Sequence, residues 1–419
     1  MSKTDDIAAI GNEFLMDTYA RTATIVRGKG CRVFNPGGGQ YIDFTSGISV
    51  HNVGHSHPKV VDAIKTQADA LIHCSNLFHT PNQAQLAQRL SRLGLGGKVF
   101  FANSGAEANE AAIKLARLYG SATDRYEIIV MLNSFHGRTM ATLSATGQSK
   151  IQKGYDPLLP GFQFATFNDL ASVEALVNER TVGVMFECVQ GEGGVTPADP
   201  EFVKGIRALC DAKDLVMICD EIQCGMGRTG KFFGWEHYNG VEPDLCTLAK
   251  SLADGVPLGA LLANPKFSDV FKPGSHGSTF GGGPLACAAA LAVLDVIEEE
   301  ELVAKAEKVG AFFADGLQQF VEQYDQVLEV RGKGMMLGLV VEGEAKKIVD
   351  ELRDGGLLVC AAGEHVVRFL PPLIATEKDV EEALDYIAET FDALYGEASE
   401  NDEEESEESD DAASNETDA

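Results

Sequence analysis

The sequence predicts an α/β protein in which a largely parallel β-sheet is accompanied by a second, smaller α+β unit. The first observation is a series of short, continuously apolar runs, as expected of strands that are buried on both faces. The second is that longer helical patterns separate these runs, which favours parallel connections. The third is a change of pattern before about residue 50 and after about residue 300. The chain has 419 residues, 45% of them apolar, and is long enough for more than one core.

The strands predicted for the main sheet follow one another through the middle of the chain. They are Val99–Ala102, Ile128–Leu132, Val182–Phe186, Leu215–Cys219, Asp244–Leu248 and Leu258–Leu262. Helices are predicted over Glu107–Tyr119 and Glu201–Lys213. This alternation is typical of a sheet that helices cover on both faces.

The smaller unit is predicted from elements near the two ends of the chain. Gln40–Phe44 fits a hairpin strand, and Met335–Val340 and Val366–Leu370 fit two further strands. The expected division is an N-terminal segment that joins the small domain (1–50), a large domain (51–300), a C-terminal small domain (301–396) and a disordered tail (397–419). The tail is assigned on its 12 acidic residues and its lack of Lys and Arg.

Charge and cysteine content exclude several classes of partner. The net charge is −29, and −17 remains without the tail, so nucleic acid and membrane surfaces are not expected partners. No apolar run reaches the ~18 residues of a membrane-spanning helix. The first residues carry no basic and apolar tract of a signal peptide. Nine scattered cysteines without a Cys-x-x-Cys motif indicate reduced thiols and a cytoplasmic location.

A candidate anion site lies where the first predicted strand of the sheet ends. Ser104 and Gly105 open a helix there, and the free N–H groups of a helix start bind anions. Gly105 would also let a phosphate approach the backbone closely. The same residues fit a capping box, because Glu107 follows Ser104 at the third position. The motif alone leaves both interpretations open and favours the cap, which is the commoner feature.

Two charged residues follow later apolar runs. Asp220 ends a predicted strand, where open α/β sheets place their ligands, although a helix N-cap explains it equally well. Lys250 stands between an apolar run and the Gly-rich residues 254–259. A lysine among apolar neighbours has a lowered pKa and can form a Schiff base. Taken singly, Lys250 is better explained as a surface loop lysine.

The combination points to one cofactor. A phosphate-binding turn, a strand-end aspartate and a partly buried lysine are the groups that hold pyridoxal 5'-phosphate.

His51, His55 and His57 have no acidic or thiol partner at a metal-ligand spacing in the sequence. No metal site is therefore predicted.

At this point the sequence resembles the class III pyridoxal-phosphate-dependent aminotransferases, from about Met16 to Leu394. The motifs that carry the resemblance are Asn103–Glu110, Phe135–Thr139, Glu187–Gly194, Asp220–Gln223 and Gly277–Gly282. The resemblance implies fold type I, with a mainly parallel seven-stranded sheet in a large cofactor-binding domain and a small α+β domain. It also implies a homodimer whose active sites are built at the subunit interface.

The resemblance further implies which residues bind the cofactor. They are Ser104, Gly105 and Ala106 at the phosphate, Phe135 stacked on the ring, Asp220 at the ring nitrogen, Gln223 near the ring hydroxyl, Lys250 at the aldehyde and Thr279 at the phosphate of the neighbouring subunit. Lys250, which also moves the proton, and Asp220 are the implied catalytic residues.

For substrates, the resemblance implies N2-acetyl-L-ornithine as amino donor and 2-oxoglutarate as acceptor, with L-glutamate as a product. Arg138 and Ser278 are implied contacts of the donor. Arg138 would also bind the distal carboxylate of 2-oxoglutarate, and Arg368 its α-carboxylate, since guanidinium groups match carboxylates. Glu192 would pair with Arg368 while the donor is bound.

Other donors stay open at this point, namely succinylornithine, ornithine, 4-aminobutyrate and succinyl-diaminopimelate. Ornithine-specific relatives carry a Tyr where Ile48 stands, which favours an acylated donor here, although aminobutyrate-type relatives can share the Ile. A nicotinamide-dependent oxidoreductase is the alternative from another class.

Overall fold

A computed structural model describes residues 3–396. The α-helices are α1 (Lys3–Phe14), α2 (Ser46–Ser49), α3 (Pro58–Ala70), α4 (Pro81–Leu93), α5 (Gly105–Gly120), α6 (Met140–Ala145), α7 (Ser149–Gln152), α8 (Leu170–Leu176), α9 (Pro200–Lys213), α10 (Pro284–Glu299), α11 (Leu302–Gln323), α12 (Ala345–Gly355) and α13 (Glu377–Tyr395). Short 3₁₀ turns cover Ser121–Thr123, Gly234–His237 and Lys250–Ala253. The disordered tail predicted for residues 397–419 lies outside the described residues.

The β-strands form four sheets. They are β1 (Arg27–Lys29), β2 (Arg32–Phe34), β3 (Gln40–Asp43), β4 (Val99–Ala102), β5 (Glu127–Met131), β6 (Phe162–Ala165), β7 (Thr181–Glu187), β8 (Val189–Gln190), β9 (Thr196–Pro197), β10 (Val216–Asp220), β11 (Leu245–Leu248), β12 (Gly259–Ala263), β13 (Val327–Lys333), β14 (Met336–Val341), β15 (Leu357–Leu358), β16 (Cys360–Ala361) and β17 (Val366–Phe369).

The largest sheet has seven strands in the order β4-β12-β11-β10-β7-β5-β6. β12 runs antiparallel to both of its neighbours, and the other pairs are parallel. The predicted mainly parallel sheet is therefore confirmed. Each residue of β5, β7, β10, β11 and β12 is buried, as their continuous apolar runs require.

Strand register brings the chemistry to one edge of this sheet. Glu187, the last residue of β7, pairs with Asp220, the last residue of β10. Asp220 in turn pairs with Thr247 of β11, and Lys250 follows two residues after that strand. Because parallel strands end at the same edge, Glu187, Asp220 and Lys250 lie on one side of the molecule.

The smaller unit combines both ends of the described chain. One sheet has the order β13-β14-β17-β16, and the other joins β1, β2 and β3 to β15. The predicted hairpin is present as the antiparallel β2–β3 pair, and β3 pairs in parallel with β15 through Ile42 and Leu357. That pairing joins the N-terminal segment to the C-terminal unit. It supports the domain division that we propose, in which residues 1–50 join the small domain of residues 301–396 and residues 51–300 form the large domain. Phe313 of α11 packs its ring against Phe44 and Phe369 at centroid distances of 5.6 and 5.3 Å.

All nine cysteines are free, and seven of them are buried. The sulfur atoms of Cys188 and Cys219 lie 3.9 Å apart. Burial raises the pKa of Cys210 to about 12, as expected of thiols that fill the core. Across residues 3–396, every helix is too short or too polar to span a bilayer.

Candidate active site

A cavity of about 420 Å³ opens at the carboxyl ends of the strands. Nine of the twelve predicted site residues line it, namely Ser104, Gly105, Ala106, Phe135, Arg138, Glu192, Asp220, Gln223 and Lys250. Arg368 is hydrogen-bonded to two of these residues, Glu192 and Gln223. Ser278 and Thr279 line two other cavities. A single chain thus brings together the predicted cofactor residues except Thr279.

The anion-binding turn is the start of α5. Ser104 is the N-cap, and its Oγ accepts a hydrogen bond of 3.2 Å from the backbone N–H of Glu107. The N–H groups of Gly105 and Ala106 have no intrahelical partner, and no other residue in 3–396 accepts from them. The predicted cap is therefore present, and it leaves two N–H groups available to an anion.

Gly105 has a packing role as well. A Cβ atom at this position would lie 2.8 Å from the side chain of Ile222, which follows Asp220 by two residues. Glycine therefore lets the helix start approach the loop after β10. The phosphate-binding turn and Asp220 are brought together by this close contact.

Asp220 is 3% exposed and is held by three donors. Its Oδ2 accepts from Asn109 Nδ2 at 2.8 Å and from His136 Nδ1 at 2.7 Å, and its Oδ1 accepts from the backbone N–H of Ile222 at 3.1 Å. Thr247 fixes Asn109 by donating to its Oδ1 at 2.8 Å. These three hydrogen bonds fix the position of the Asp220 carboxylate at the cavity.

His136 is fully buried and lies beside Asp220 at the cavity wall. Burial lowers the pKa of His136, but the hydrogen bond and the charge of Asp220 raise it, and the net pKa lies above its ordinary value. Its Nε2 is buried without a partner in the described chain. Asn109 and His136 lie within two of the sequence motifs, but those motifs do not indicate what the two side chains do. Only the fold shows that both reach Asp220.

Lys250 begins a 3₁₀ turn with a backbone φ of 44°. A left-handed conformation is costly for a residue with a side chain, and such strain is found at functional sites. Lys250 is partly buried in the cavity wall, and burial together with the charge of Arg368 lowers the pKa of its amine. The structure thus places Lys250 at the cavity, among apolar neighbours, rather than in an exposed surface loop.

Two guanidinium groups serve this cavity from different sides. Arg368, in β17, is 1% exposed, and its Nη1 donates to Glu192 Oε1 at 2.7 Å and to Gln223 Oε1 at 3.3 Å. Arg138 is exposed at the cavity wall, with its guanidinium carbon 5.3 Å from the centroid of the Phe135 ring. One cation is therefore masked by a carboxylate, while the other faces the open cavity.

Glu187 is a further cavity residue, and its sequence motif alone does not indicate a role for it. It ends β7, it is buried, and its Oε2 accepts from the backbone N–H of Phe135 at 3.2 Å. Burial raises its pKa to about 8, since the nearby His136 lowers the value only in part. A protonated Glu187 can donate a hydrogen bond at neutral pH.

Ser278 and Thr279 do not reach the main cavity of their own chain. Ser278 Oγ accepts from Asn103 Nδ2 and from the backbone N–H of Gly281, both at 3.0 Å. Thr279 lines a separate small cavity near His73. The next residue, Phe280, is 66% exposed.

These observations fit pyridoxal phosphate. Two helix-start N–H groups are free for a phosphate, a buried aspartate held by three donors lines the cavity, and a partly buried lysine of lowered pKa lies in the same wall. The fold and the site together define a pyridoxal-phosphate enzyme of fold type I.

Comparison with known proteins makes the assignment more specific. The family model for class III aminotransferases matches residues 16–391, and the chain belongs to this family of pyridoxal-phosphate-dependent transaminases. The acetylornithine aminotransferase of Caldanaerobacter subterraneus is 49% identical over 91% of this chain and 98% of its own.

Two solved structures resemble the whole fold. The ornithine aminotransferase of Toxoplasma gondii superposes with a TM-score of 0.90 at 33% identity, covering 94% of this chain and 96% of its own. The acetylornithine aminotransferase of Elizabethkingia anophelis gives a TM-score of 0.83 at 33% identity, covering 93% and 99%.

Proposed function

We propose that this enzyme transfers the δ-amino group of N2-acetyl-L-ornithine to 2-oxoglutarate. The products are N-acetyl-L-glutamate 5-semialdehyde and L-glutamate, in a step of arginine biosynthesis. The observation that carries the choice of donor is the set of relatives named acetylornithine aminotransferase, which are 49% and 46% identical over 91% and 90% of this chain.

When bound, pyridoxal phosphate supplies an electron sink for removing and replacing an amino group. Gly105 and Ala106 bind its phosphate through their free N–H groups, and Phe135 stacks on its ring. Asp220 keeps the ring nitrogen protonated, because its own charge is held by Asn109 and His136. These residues would hold the cofactor, and Lys250 lines the same cavity.

Lys250 attaches the cofactor and moves the proton. Burial lowers the pKa of its amine, which makes the uncharged form that accepts a proton easier to reach. Gln223 lies between the ring side of the cavity and Arg368, since its Oε1 accepts from Arg368 Nη1. Gln223 therefore links the ring hydroxyl to the carboxylate-binding side.

Arg138, Arg368 and Glu192 distinguish the two substrates. Arg138 binds the carboxylate end of the donor and the distal carboxylate of 2-oxoglutarate. Arg368 binds the α-carboxylate of 2-oxoglutarate after Glu192 releases it, and Glu192 covers Arg368 again when the donor enters. The same cavity thereby accepts 2-oxoglutarate, which places a carboxylate at Arg368, and the amino donor, which does not.

We also propose a homodimer in the cytoplasm, in which each chain completes the site of the other. Thr279 lines a separate cavity, and Ser278 touches the wall of its own main cavity only through Asn103. We therefore infer that Thr279 reaches the partner's phosphate and that Ser278 contacts the donor in the partner's site. Leu77, Phe78 and Phe280 near them are 86%, 65% and 66% exposed. An apolar patch of this kind supports an interface with a second copy.

The test is a panel of amino donors mixed with the cofactor-loaded enzyme, with loss of the visible cofactor absorbance followed at several donor concentrations. We expect the second-order rate constant for N2-acetylornithine to exceed that for ornithine by about 10-fold or more. The panel includes succinylornithine, 4-aminobutyrate and succinyl-diaminopimelate. If one of these proves the best donor, the family assignment stands and the donor assignment fails.

A further inference from the structure

Four consecutive residues beside the cavity adopt left-handed backbone angles. In α2, the φ values of Ser46, Gly47, Ile48 and Ser49 are 46°, 64°, 60° and 62°. Only glycine adopts this region without strain, and Ile, which is branched at Cβ, is among the least suited residues. A turn of this kind persists only where its surroundings determine it.

The start of the turn is fixed by Asp43. Its Oδ1 accepts from the backbone N–H groups of Thr45 and Ser46 at 2.9 and 3.0 Å. Its Oδ2 contacts His55 Nε2 at 2.7 Å. Ser46 Oγ donates to the carbonyl oxygen of Leu370, which attaches the turn to the segment after β17.

The end of the turn is fixed by Arg228, which has no exposed surface. Its Nε donates to Ser49 Oγ at 2.9 Å, and its Nη2 donates to Asn52 Oδ1 at 2.5 Å. Its Nη1 donates to the carbonyl oxygens of Met335 and Pro371 at 2.8 and 2.5 Å. One guanidinium therefore joins the turn, the segment before β14 and the segment after β17.

This arrangement is unusual for a buried cation. Among the described residues, no carboxylate pairs with Arg228, and its hydrogen-bond partners are all neutral. Burial lowers its pKa to about 9, so the group is still charged near neutral pH. A buried charge without a counter-ion destabilises the fold, and its presence calls for a role other than stability.

The segments that Arg228 joins are those that bind substrate. Val50, directly after the turn, lines the cavity, and Ser49 Oγ donates to the carbonyl oxygen of Gln223 at 3.4 Å. Pro371 follows Arg368 by three residues in the same extended segment. Arg228 thus connects the wall near Ile48 with the strand that carries the carboxylate-binding Arg368.

We propose that Arg228 is a positioning residue that holds the turn 46–49 and the Arg368 segment in the geometry that recognises both substrates. It contacts neither substrate nor cofactor. The inference rests on the proposed function, because it assigns substrate recognition to these segments.

The test replaces Arg228 by Lys, which keeps the charge and loses the forked set of donors. In the cofactor-loaded enzyme we expect KM for N2-acetylornithine and for 2-oxoglutarate to rise about tenfold, because misplaced segments weaken recognition. The visible spectrum of the cofactor should be unchanged. Hydrogen exchange of residues 44–53 should accelerate about tenfold, while that of residues 103–110 stays as in the native enzyme.

Two further variants make the result specific. Arg207→Lys is the matched control, since Arg207 in α9 pairs with Asp244 at 3.0 Å, away from the turn, and should leave both KM values unchanged. Ser49→Ala removes the link to Arg228 Nε together with the 3.4 Å hydrogen bond to the carbonyl oxygen of Gln223, and it decides the question if Arg228→Lys does not fold. It should raise both KM values about threefold and accelerate exchange at 44–53.

The outcomes separate the two proposals. Unchanged KM values and unchanged exchange at 44–53 in a folded Arg228→Lys variant overturn the positioning role, while the transaminase activity of the native enzyme stands. Accelerated exchange throughout the chain also overturns it, because that result shows general destabilisation. If the native enzyme uses no donor of the panel, the proposed function fails, and the local exchange at 44–53 alone decides the role of Arg228.

Discussion

Replacing Glu192 by Gln tests how one cavity serves two different substrates. In the described structure Arg368 Nη1 donates to Glu192 Oε1 at 2.7 Å, with Arg368 almost fully buried and a third of the Glu192 side chain exposed. A charge-assisted hydrogen bond of this type contributes about 1.5–3 kcal/mol, and the exposure of Glu192 favours the lower value. An incoming α-carboxylate must first displace this pair, so the pair weakens binding of L-glutamate and 2-oxoglutarate.

The neutral amide of Gln removes that competition. About 1.5 kcal/mol corresponds to about tenfold, so kcat/KM for L-glutamate should rise about tenfold in Glu192→Gln. For N2-acetylornithine it should fall by a similar factor, because the donor complex then leaves a buried guanidinium without a counter-ion. The ratio of the two constants should therefore change about a hundredfold, which follows from adding the two free energies.

The assay is the single half-reaction with each substrate, followed through the cofactor absorbance. Glu201→Gln is the control, since Glu201 pairs with Lys204 at 3.0 Å on the exposed surface of α9. If Glu192→Gln leaves the ratio between the two substrates unchanged, the pair does not gate Arg368 and the reasoning is refuted.

Three further predictions address other parts of the site. Asp220→Ala should lower kcat by about 10²-fold or more, close to 3 kcal/mol, because the ring nitrogen loses its counter-ion; near-normal turnover in steady-state assays would refute this role. Ile48→Tyr should narrow the preference for N2-acetylornithine over ornithine, since a phenol offers the free α-amino or α-carboxylate group a hydrogen-bond partner; an unchanged ratio in the donor panel would exclude Ile48 from recognition. Burial raises the pKa of Glu221 to about 7, although the N–H groups of Gly234 and Trp235 lower it in part. The folded state therefore retains this proton to higher pH than the unfolded state, and its stability falls as pH rises from about 4.5 to about 7. Glu221→Gln removes this pH dependence. The free energy of unfolding of the variant, minus that of the native protein, should therefore increase by about 3 kcal/mol between pH 4 and pH 8. A value of this difference that does not change with pH would contradict the prediction.

Much of the main sheet could be predicted because its strands are buried on both faces. β4 has the predicted bounds, and β7, β10 and β12 differ from theirs by one residue at each end. β6 was not predicted, because it is a short edge strand with alternating Phe and Gln residues and a partly exposed face. β13 was not predicted either, since its charged residues interrupt the apolar pattern.

Site residues were predictable where the neighbouring sequence marks each of them individually. The turn at Ser104 and the strand-end Asp220 were found from local patterns, and the fold brings them together. Asn109 and His136 acquire their roles only through contacts across the sheet, 111 and 84 residues from Asp220. Arg228 likewise depends on four hydrogen bonds to distant segments, which no local pattern shows.

The central claim is that this cavity holds pyridoxal phosphate on Lys250, and trapping the attached cofactor tests it most directly. The purified yellow enzyme is reduced with borohydride, digested and analysed by mass spectrometry. We predict that the phosphopyridoxyl group is found on the peptide that contains Lys250, and that Lys250→Ala carries no label and no activity. A label on another lysine, or an unlabelled Lys250 peptide from active enzyme, would contradict the account.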